Sequence, residues 1–273
     1  MKWSKEAEGL LSKVPFFVKK RVKKRVEEEA GNLGASVVTV DHVNSLKNRF
    51  MNKMEDEVKG FQVETCFGSS DCPNSTADIS DLVEKIEKIL SAENMKDFLK
   101  EKAIGPLKFH HEFRVSISGC PNACSRSQIV DIGIIGLSTP EINKENCNGC
   151  AKCQKVCREG VVSFIDGIPE IDKSKCLLCG QCVKTCDQGA MEEGAKGFKV
   201  LIGGKLGRHP RLALAVPGLF NMKETINIIN RLVRYYKENC LNGERFGELL
   251  EKKQIFDLNQ GGESLDEVLC VET

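Results

Sequence analysis

Eight of the fourteen cysteines lie between residues 147 and 186, and their spacing limits the possible folds more than any other feature of the sequence. They form two copies of the pattern C-x2-C-x2-C-x3-C, which start at Cys147 and Cys176 and are offset by 29 residues. Four nearby thiolates can bind zinc or an iron–sulfur cluster. The ligands of structural zinc sites, however, usually come as two separate pairs, whereas each copy here has four cysteines in one short run. The repeat therefore predicts two iron–sulfur clusters in this stretch.

The two copies resemble the cysteine runs of bacterial two-cluster ferredoxins, in which the fourth cysteine of each run binds the other cluster. The resemblance implies one [4Fe–4S] cluster on the first repeat set, Cys147, Cys150, Cys153 and Cys186. It implies another on the second repeat set, Cys176, Cys179, Cys182 and Cys157. Ferredoxins usually have proline after the fourth cysteine, where this chain has Arg158 and Asp187; we expect altered local hydrogen bonding and potential, with the ligands intact.

Four further cysteines form two pairs earlier in the chain, Cys66 with Cys72 and Cys120 with Cys124. By count alone they suit zinc or a cluster, but the gap of five residues between Cys66 and Cys72 is longer than the gaps typical of zinc knuckles, and the gap between Cys120 and Cys124 is three. The second pair follows an alternating stretch, Lys108 to Ser118, that predicts a half-buried strand. Gly119 and Pro121 then favour a turn that brings the two cysteines to one site.

Together with Gly-Cys-Pro-Asn-x-Cys at residues 119–124, this spacing resembles the siroheme and [4Fe–4S] half-domain of sulfite and nitrite reductases. The resemblance implies a third [4Fe–4S] cluster on these four residues, which we call the host cysteines, with Cys124 bridging to the siroheme iron. A Gly-Gly-x-x-Gly-Arg stretch at residues 203–208 is also found late in such half-domains, beside the tetrapyrrole carboxylates. The ferredoxin-like repeat would then be an insertion, as in dissimilatory sulfite reductase subunits.

The N-terminal residues predict helices. Val18, Val22, Val26 and Ala30 form an apolar stripe that ends near Gly31 and Gly34, and a further helix is predicted from about Val40 to Glu57. The segments at residues 13–21 and 38–40 resemble the small helical domain of a light-independent protochlorophyllide reductase subunit. We interpret this part as a docking or scaffolding module.

These patterns predict an α+β fold with one siroheme-type half-domain, an inserted 2[4Fe–4S] ferredoxin domain and an N-terminal helical domain. The predicted boundaries are a helical domain at 1–52, half-domain parts at 53–141 and 196–253, the ferredoxin domain at 142–195 and a tail at 254–273. Cys240 and Cys270 belong to no motif and are interpreted as ordinary free thiols.

Composition excludes some classes of partner. The net charge is +1 in 273 residues, and the basic run at 19–25 lacks interleaved aromatic residues and precedes glutamates, so we expect no nucleic acid partner. The first residues are too charged for a signal peptide and no apolar run could span a membrane, so we expect a cytoplasmic protein with no membrane partner. Fourteen cysteines in such a chain indicate metal or redox sites rather than disulfides.

Siroheme carries several carboxylates and its substrates are anions, so the resemblance implies a pocket rich in Lys and Arg. The catalytic candidates are Lys108, Arg114 and Arg126. The cofactor-binding candidates are Arg126, Lys205, Arg208 and Arg211, with His110 and His209 as weaker ones. Related half-domains often carry a lysine where this chain has Glu112, and an acidic group beside an anion requires protonation or an ion pair.

The resemblance implies a reductase that converts sulfite to sulfide with six electrons, which enter at the ferredoxin-type clusters and reach the siroheme through the host cluster. Alternatives are nitrite reduction, a siroheme-free electron-transfer protein and, less favoured, an accessory protein that handles tetrapyrroles. No Gly-x-Gly-x-x-Gly motif follows a strand, so a separate protein must donate the electrons. Family enzymes pair two half-domains per active site and this chain has one, which predicts a homodimer or a heteromer.

Overall fold

The computed structural model describes residues 1–66 and 72–255, apart from the side chains of residues 51–54. The chain separates into two compact units: Met1–Lys59 with Ile104–His110, and Gly60–Ala103 with the chain from His111 onward. The predicted tail beyond residue 255, with Cys270, lies outside the described residues, as does the side chain of Met54 in the predicted helix from Val40 to Glu57.

The first unit is mainly helical. Its elements are β1 (Lys2–Trp3), α1 (Lys5–Ser12), α2 (Phe16–Asn32), β2 (Val37–Val38) and α3 (Val40–Glu57). The strands β1 and β2 pair in parallel. The predicted apolar stripe of α2 is confirmed at Val26 and Ala30, which form a buried cluster with Ala7 and Val38. At the start of the same helix, Phe16 and Phe17 are 90% and 75% exposed.

The second unit is built on one mixed sheet with the strand order β3-β4-β5-β8-β9. Its strands are β3 (Phe61–Thr65), β4 (Phe113–Ser118), β5 (Ile132–Ile142), β8 (Met191–Ile202) and β9 (Leu214–Ala215). The first three strands are mutually parallel, and β8 runs antiparallel to both β5 and β9. The helices around this sheet are α4 (Ser80–Ala92), α5 (Met95–Lys102), α8 (Met222–Asn239) and α9 (Phe246–Lys252). The predicted mixture of helices and sheet is therefore confirmed.

Strand β4 differs from the prediction in two ways. It begins at Phe113 rather than at Lys108, because the preceding residues Phe109–His111 form a 3₁₀ turn. It is also buried on both faces rather than half-buried, since Ser116 and Ser118 are 0% and 1% exposed. The alternating pattern predicts a polar face that is exposed to solvent. The serines of that face are instead covered by the turn that follows the strand, and they hydrogen-bond to it.

The cysteine repeat lies between β5 and β8, which pair over most of their length. The two strands are still paired at Ile142 and Met191, so the chain leaves and returns to the sheet at neighbouring points. Between them are a hairpin and two short helices: α6 (Lys152–Val156), β6 (Val162–Ile165), β7 (Ile168–Ile171) and α7 (Gln181–Lys184). Both copies of the repeat therefore extend from the end of one long antiparallel ribbon.

A buried ion pair connects the start of β5 to α9. Asp131 is fully buried, and both of its carboxylate oxygens accept hydrogen bonds from the guanidinium of Arg245. The backbone N–H of Arg114 donates to the same carboxylate at 2.9 Å. Beside this pair, the rings of Phe113, Tyr236 and Phe246 pack together with centroids 5.1–5.9 Å apart. Across the part of the chain that the structure describes, no helix is both long and apolar enough to cross a membrane.

Candidate functional site

The host cysteines Cys66, Cys120 and Cys124 follow the ends of two neighbouring strands. Cys66 comes directly after β3, and the other two lie on the turn after β4. Because β3 and β4 are parallel, these ends meet at one edge of the sheet. The backbone N–H of Cys66 donates to the carbonyl of Ile117 at 3.1 Å, and that of Gly119 donates to Cys66 Sγ at 3.4 Å. A hydrogen bond to a ligand sulfur is one of the means by which proteins set a cluster's potential.

The turn at Gly119 is held from its other side by Thr76. The backbone N–H and the hydroxyl of Thr76 both donate to the Gly119 carbonyl, at 2.8 Å and 2.9 Å. A side chain at Gly119 would place its Cβ 2.4 Å from Ser75 Oγ, and one at Gly136 would lie 2.8 Å from the Gly119 carbonyl oxygen. The glycines of this stretch therefore permit close packing of the loop after Cys72 against the cysteine turn.

A buried serine network fixes the turn that carries Cys124. Ser116 donates to the carbonyl of Ser125 at 2.6 Å, and the hydroxyls of Ser118 and Ser125 are also 2.6 Å apart. Ser127 lies 3.2 Å from Ser118 and is fully buried. A Cβ at Gly133 would come within 1.9 Å of the Ser127 carbonyl oxygen, so only glycine fits there. The network thus positions Cys124 from the polar face of β4.

The host cysteines differ in exposure. Cys120 is buried and Cys124 is exposed. Burial raises the pKa of the Cys120 thiol, and the nearby thiols of Cys72, Cys124 and Cys66 raise it further. The four sulfurs are therefore close enough to interact electrostatically.

No three His, Cys, Asp or Glu side chains within residues 1–66 and 72–255 converge closely enough to hold a single metal ion. A four-iron cluster does not require that convergence, because each thiolate binds a different iron atom. The donor set of four thiols, one buried and one exposed, fits such a cluster.

The repeat cysteines come together in two groups, and each group contains the fourth cysteine of the other copy. One hollow is lined by the first repeat set, Cys147, Cys150, Cys153 and Cys186. A second is lined by the second repeat set, Cys157, Cys176, Cys179 and Cys182. These are the groups that the ferredoxin resemblance implies; that each binds a cluster stays a prediction.

The thiols of the repeat lie in different electrostatic settings. Burial raises the pKa of Cys153 and Cys176, and it raises that of Cys182 to about 11. Burial acts in the same direction on Cys186, but backbone N–H groups around Met191 outweigh it and hold the pKa of this thiol below its usual value. The fourth cysteine of the second copy thus already sits among donors that stabilise a thiolate.

The second repeat set lies next to the host cysteines. A single cavity is lined from the host side by Cys120, Pro121 and Asn122 and from the repeat side by Cys157, Arg158 and Cys179. The hollow of the first repeat set includes none of these host residues. The geometry therefore distinguishes the two sets, since only one of them shares a cavity with the turn that carries Cys120.

Two of the predicted cofactor-binding cations are paired within the chain. The ammonium of Lys205, whose side chain is 8% exposed, lies 3.6 Å from Glu248 and 3.3 Å from Glu251. Arg211 lies 3.4 Å from Glu251 and donates to the carbonyl of Gly247. The Lys205 ammonium lowers the pKa of Glu251, so this carboxylate is charged at neutral pH. A role of Lys205 and Arg211 toward an external carboxylate requires that α9 release them.

The remaining predicted cations lie in varied settings. Arg126, on the turn after Cys124, is exposed and 3.5 Å from Glu64. Arg114 lies on β4 and is partly buried, and Arg208 is exposed. Lys108 and His110 belong to the first unit, whereas the host cysteines belong to the second. His209 is exposed beside Arg208.

Glu112, the acidic departure from the family pattern, lies just before β4 and is 2% exposed. It is therefore part of the interior rather than of an open anion-binding surface.

Several residues that shape the site were missed from the sequence. The serine network had a detectable signal, since Ser116, Ser118, Ser125 and Ser127 flank the second host pair. Thr76 had none. Leu178, Gln181 and Lys184 also contact the host part of the unit. The sequence did not show which copy makes these contacts, because both copies have the same cysteine spacing and a lysine at the position of Lys184.

Comparison with known proteins gives two family matches. Residues 59–255 match the family described as the nitrite and sulphite reductase 4Fe-4S domain. Residues 3–47 match the family described as the proto-chlorophyllide reductase 57 kD subunit. Both resemblances expected from the motifs are thereby confirmed.

Individual relatives agree with the first match. The chain is 37% identical over 171 residues to the coenzyme F420-dependent sulfite reductase of Methanocaldococcus jannaschii, covering 63% of this chain and 25% of that protein. It is 26% identical over 138 residues to an anaerobic sulfite reductase subunit of Salmonella typhimurium, covering 45% of this chain and 36% of that protein. The match thus covers about a quarter of the first of these relatives and about a third of the second.

Among solved structures, the fold resembles dissimilatory sulfite reductase I with a TM-score of 0.54 and 18% sequence identity. The superposition covers 83% of this chain and 57% of that one. At this identity the likeness concerns the fold alone.

Proposed function

This chain belongs to the family of the nitrite and sulphite reductase 4Fe-4S domain, and we therefore propose that it reduces sulfite to sulfide with siroheme and three [4Fe–4S] clusters. The two sulfite reductases described above support sulfite over nitrite. The reaction takes sulfur from +4 to −2, so one bisulfite ion consumes six electrons and six protons and yields hydrosulfide and three water molecules. A separate donor protein supplies the electrons.

The observation that carries the proposal is the arrangement of the host cysteines. They follow the ends of two parallel strands, with Cys120 buried and Cys124 exposed. An exposed thiolate beside a buried one suits a cluster that is held in the protein and still offers one sulfur to a second iron. When bound, siroheme supplies the iron at which the oxyanion is reduced, and the clusters supply stored electrons.

The chain's own residues hold these groups and attract the anion. Arg126 and Arg208 are exposed, and Arg114 lies on β4, so they are the cations that we assign to the substrate and to the carboxylates of siroheme. Lys108, the third predicted catalytic cation, belongs to the first unit, and its role stays a prediction. The serine network keeps Cys124 fixed, which matters because a misplaced ligand would change the geometry of the whole centre.

We infer that the active protein is a homodimer or a heteromer. One relative is named as a subunit of an anaerobic sulfite reductase, which supports an assembly of more than one chain. In such an assembly, a half-domain from another copy or another subunit would add cations to the anion pocket.

A second candidate function is a siroheme-free electron carrier with three clusters. The pairing of Lys205 and Arg211 with Glu248 and Glu251 favours it, because these cations are compensated without a tetrapyrrole. The two functions share the cysteine ligands and differ in whether siroheme is bound.

An anaerobic absorption spectrum of protein produced with a supply of siroheme tests the proposal. Iron, acid-labile sulfide and extracted tetrapyrrole are measured on the same sample. We expect about one siroheme in addition to about twelve cluster irons per chain, and sulfide formation from sulfite with reduced viologen. The Cys124→Ser variant should lose the siroheme bands, whereas Cys240→Ser, at a buried thiol outside every motif, should keep them. Twelve irons without tetrapyrrole would instead identify the electron carrier.

A further inference from the structure

We propose that Lys184 is a positioning residue that docks the second repeat set against the host cysteines and so sets the interaction between their clusters. The inference rests on the proposed function to the extent that both groups of cysteines hold clusters that exchange electrons. It concerns contacts made by one copy of the repeat and not by the other.

Lys184 ends helix α7 and reaches the loop that follows Cys72. Its ammonium donates to the carbonyls of Pro73 and Ser75, at 2.6 Å and 2.8 Å. Hydrogen bonds from a charged donor are stronger than neutral ones, and two of them to one loop restrict its position. Because Ser75 precedes Thr76, which holds the Gly119 turn, the lysine acts on the loop that shapes the host site.

Two neighbours support the same docking. The side-chain amide of Gln181 donates to Asn74 Oδ1 at 3.1 Å. Leu178 packs against the host core beside Ala123, Ile135 and Leu137, and its carbonyl accepts a hydrogen bond from the backbone N–H of Ser138 at 2.9 Å. The second copy thus contacts the host through an apolar anchor and two polar side chains.

The first copy provides a matched control within the chain. With the offset of 29 residues, Lys184 corresponds to Lys155, which also lies in the last turn of its helix. Lys155 is exposed, and its helix α6 precedes Cys157 as α7 precedes Cys186. The same residue type therefore stands at the same place in both copies. Among the residues that the structure describes, only the lysine of the second copy donates to host carbonyls, which lie more than 100 positions away in the sequence.

The consequence is that cluster spacing depends on a side chain that is not a ligand. Cys120 and Cys179 line one cavity, so the contacts that hold the loop after Cys72 also help to fix the distance across it. Removing the ammonium should therefore weaken the interaction between clusters while leaving all twelve thiolates in place.

The test compares Lys184→Met, Lys155→Met and Lys184→Arg in the full-length protein, loaded with clusters and reduced anaerobically. Electron paramagnetic resonance reports the magnetic interaction between reduced clusters, and hydrogen exchange reports the protection of the backbone amides of residues 74–76, since Pro73 has no N–H. We expect Lys184→Met to weaken the interaction and to raise the exchange of this loop about tenfold, which corresponds to about 1.4 kcal/mol of opening free energy. Lys155→Met should match the unaltered protein, and Lys184→Arg should restore most of both signals.

Equal spectra and equal exchange in the two methionine variants would overturn the proposal. So would loss of iron from the host site in Lys184→Met, because the lysine would then be needed for the cysteine loop itself rather than for docking. Neither readout involves siroheme, sulfite or turnover. A siroheme-free carrier would therefore disprove the proposed reaction and leave this inference standing.

Discussion

The two copies of the cysteine repeat share their ligand spacing and differ in the residues around the second ligand. The first copy reads Gly149-Cys150-Ala151 and the second reads Leu178-Cys179-Gly180. All four flanking residues have a left-handed backbone, with φ of 71° and 59° in the first copy and of 55° and 67° in the second. Glycine therefore stands before the cysteine in one copy and after it in the other.

The difference follows from what each copy touches. A leucine in the left-handed region costs about 1–2 kcal/mol, so it persists only where the surroundings compensate for it. Leu178 is compensated because its side chain packs into the host core. A Cβ at Gly149 would instead lie 3.5 Å from the carbonyl oxygen of Gly167. This polar neighbour would not stabilise an apolar side chain. The backbone around the second cysteine thus has the same conformation in both copies. The side chain before that cysteine differs because the second copy packs against the host core.

Replacing one ligand in each copy should give the largest contrast. Cys179→Ser and Cys150→Ser each remove one thiolate, and each should lower the iron content by up to about four atoms per chain. Only the second repeat set shares a cavity with Cys120, so only Cys179→Ser should abolish the magnetic interaction that the host cluster experiences. Iron analysis and electron paramagnetic resonance of the reduced proteins measure both effects. An equal change of the host signal in Cys150→Ser would show that the copies are not distinguished by distance.

Candidate ligands could be named from the sequence because metal sites require fixed residue types at fixed spacing; that they bind clusters stays a prediction. The grouping of Cys186 with the first three cysteines and of Cys157 with the second three matches the expectation from the ferredoxin resemblance. Helix α3 was also predictable, and it spans the predicted residues Val40–Glu57.

Tertiary contacts were not predictable in the same way. Alternation extended β4 back to Lys108, but the chain forms a 3₁₀ turn at Phe109–His111 before the strand begins. The pairing of Lys205 with Glu248 and Glu251 joins residues more than 40 positions apart, which no local pattern reveals. The predicted domain boundaries and the roles of the individual cations remain predictions.

Leu178 tests whether burial compensates for backbone strain. Leu178→Ala removes the apolar contact and keeps most of the strain, so we expect it to destabilise the protein by about 1–2 kcal/mol, less than at a fully buried leucine. Leu178→Gly removes the contact and the strain together. It should therefore be no more destabilising than the alanine variant, the reverse of their usual order. Thermal unfolding of the cluster-loaded proteins under anaerobic conditions measures this order. A glycine variant clearly less stable than the alanine variant would mean that Leu178 is not strained.

Substitutions of the residue after the second cysteine, Gly180 or Ala151, should change the stability less and in opposite directions. A Cβ at Gly180 would meet Thr76 and Ser138 at ordinary distances of 3.7 Å and 3.8 Å, so the cost of Gly180→Ala comes from its positive φ. We expect a loss of about 1 kcal/mol, or about 2–4 °C in the unfolding midpoint. Ala151→Gly should shift the midpoint the other way by a similar or smaller amount, because relief of strain is partly offset by greater freedom of the unfolded chain. Shifts of the same sign in both variants would show that contacts, rather than backbone conformation, decide which residue follows the cysteine.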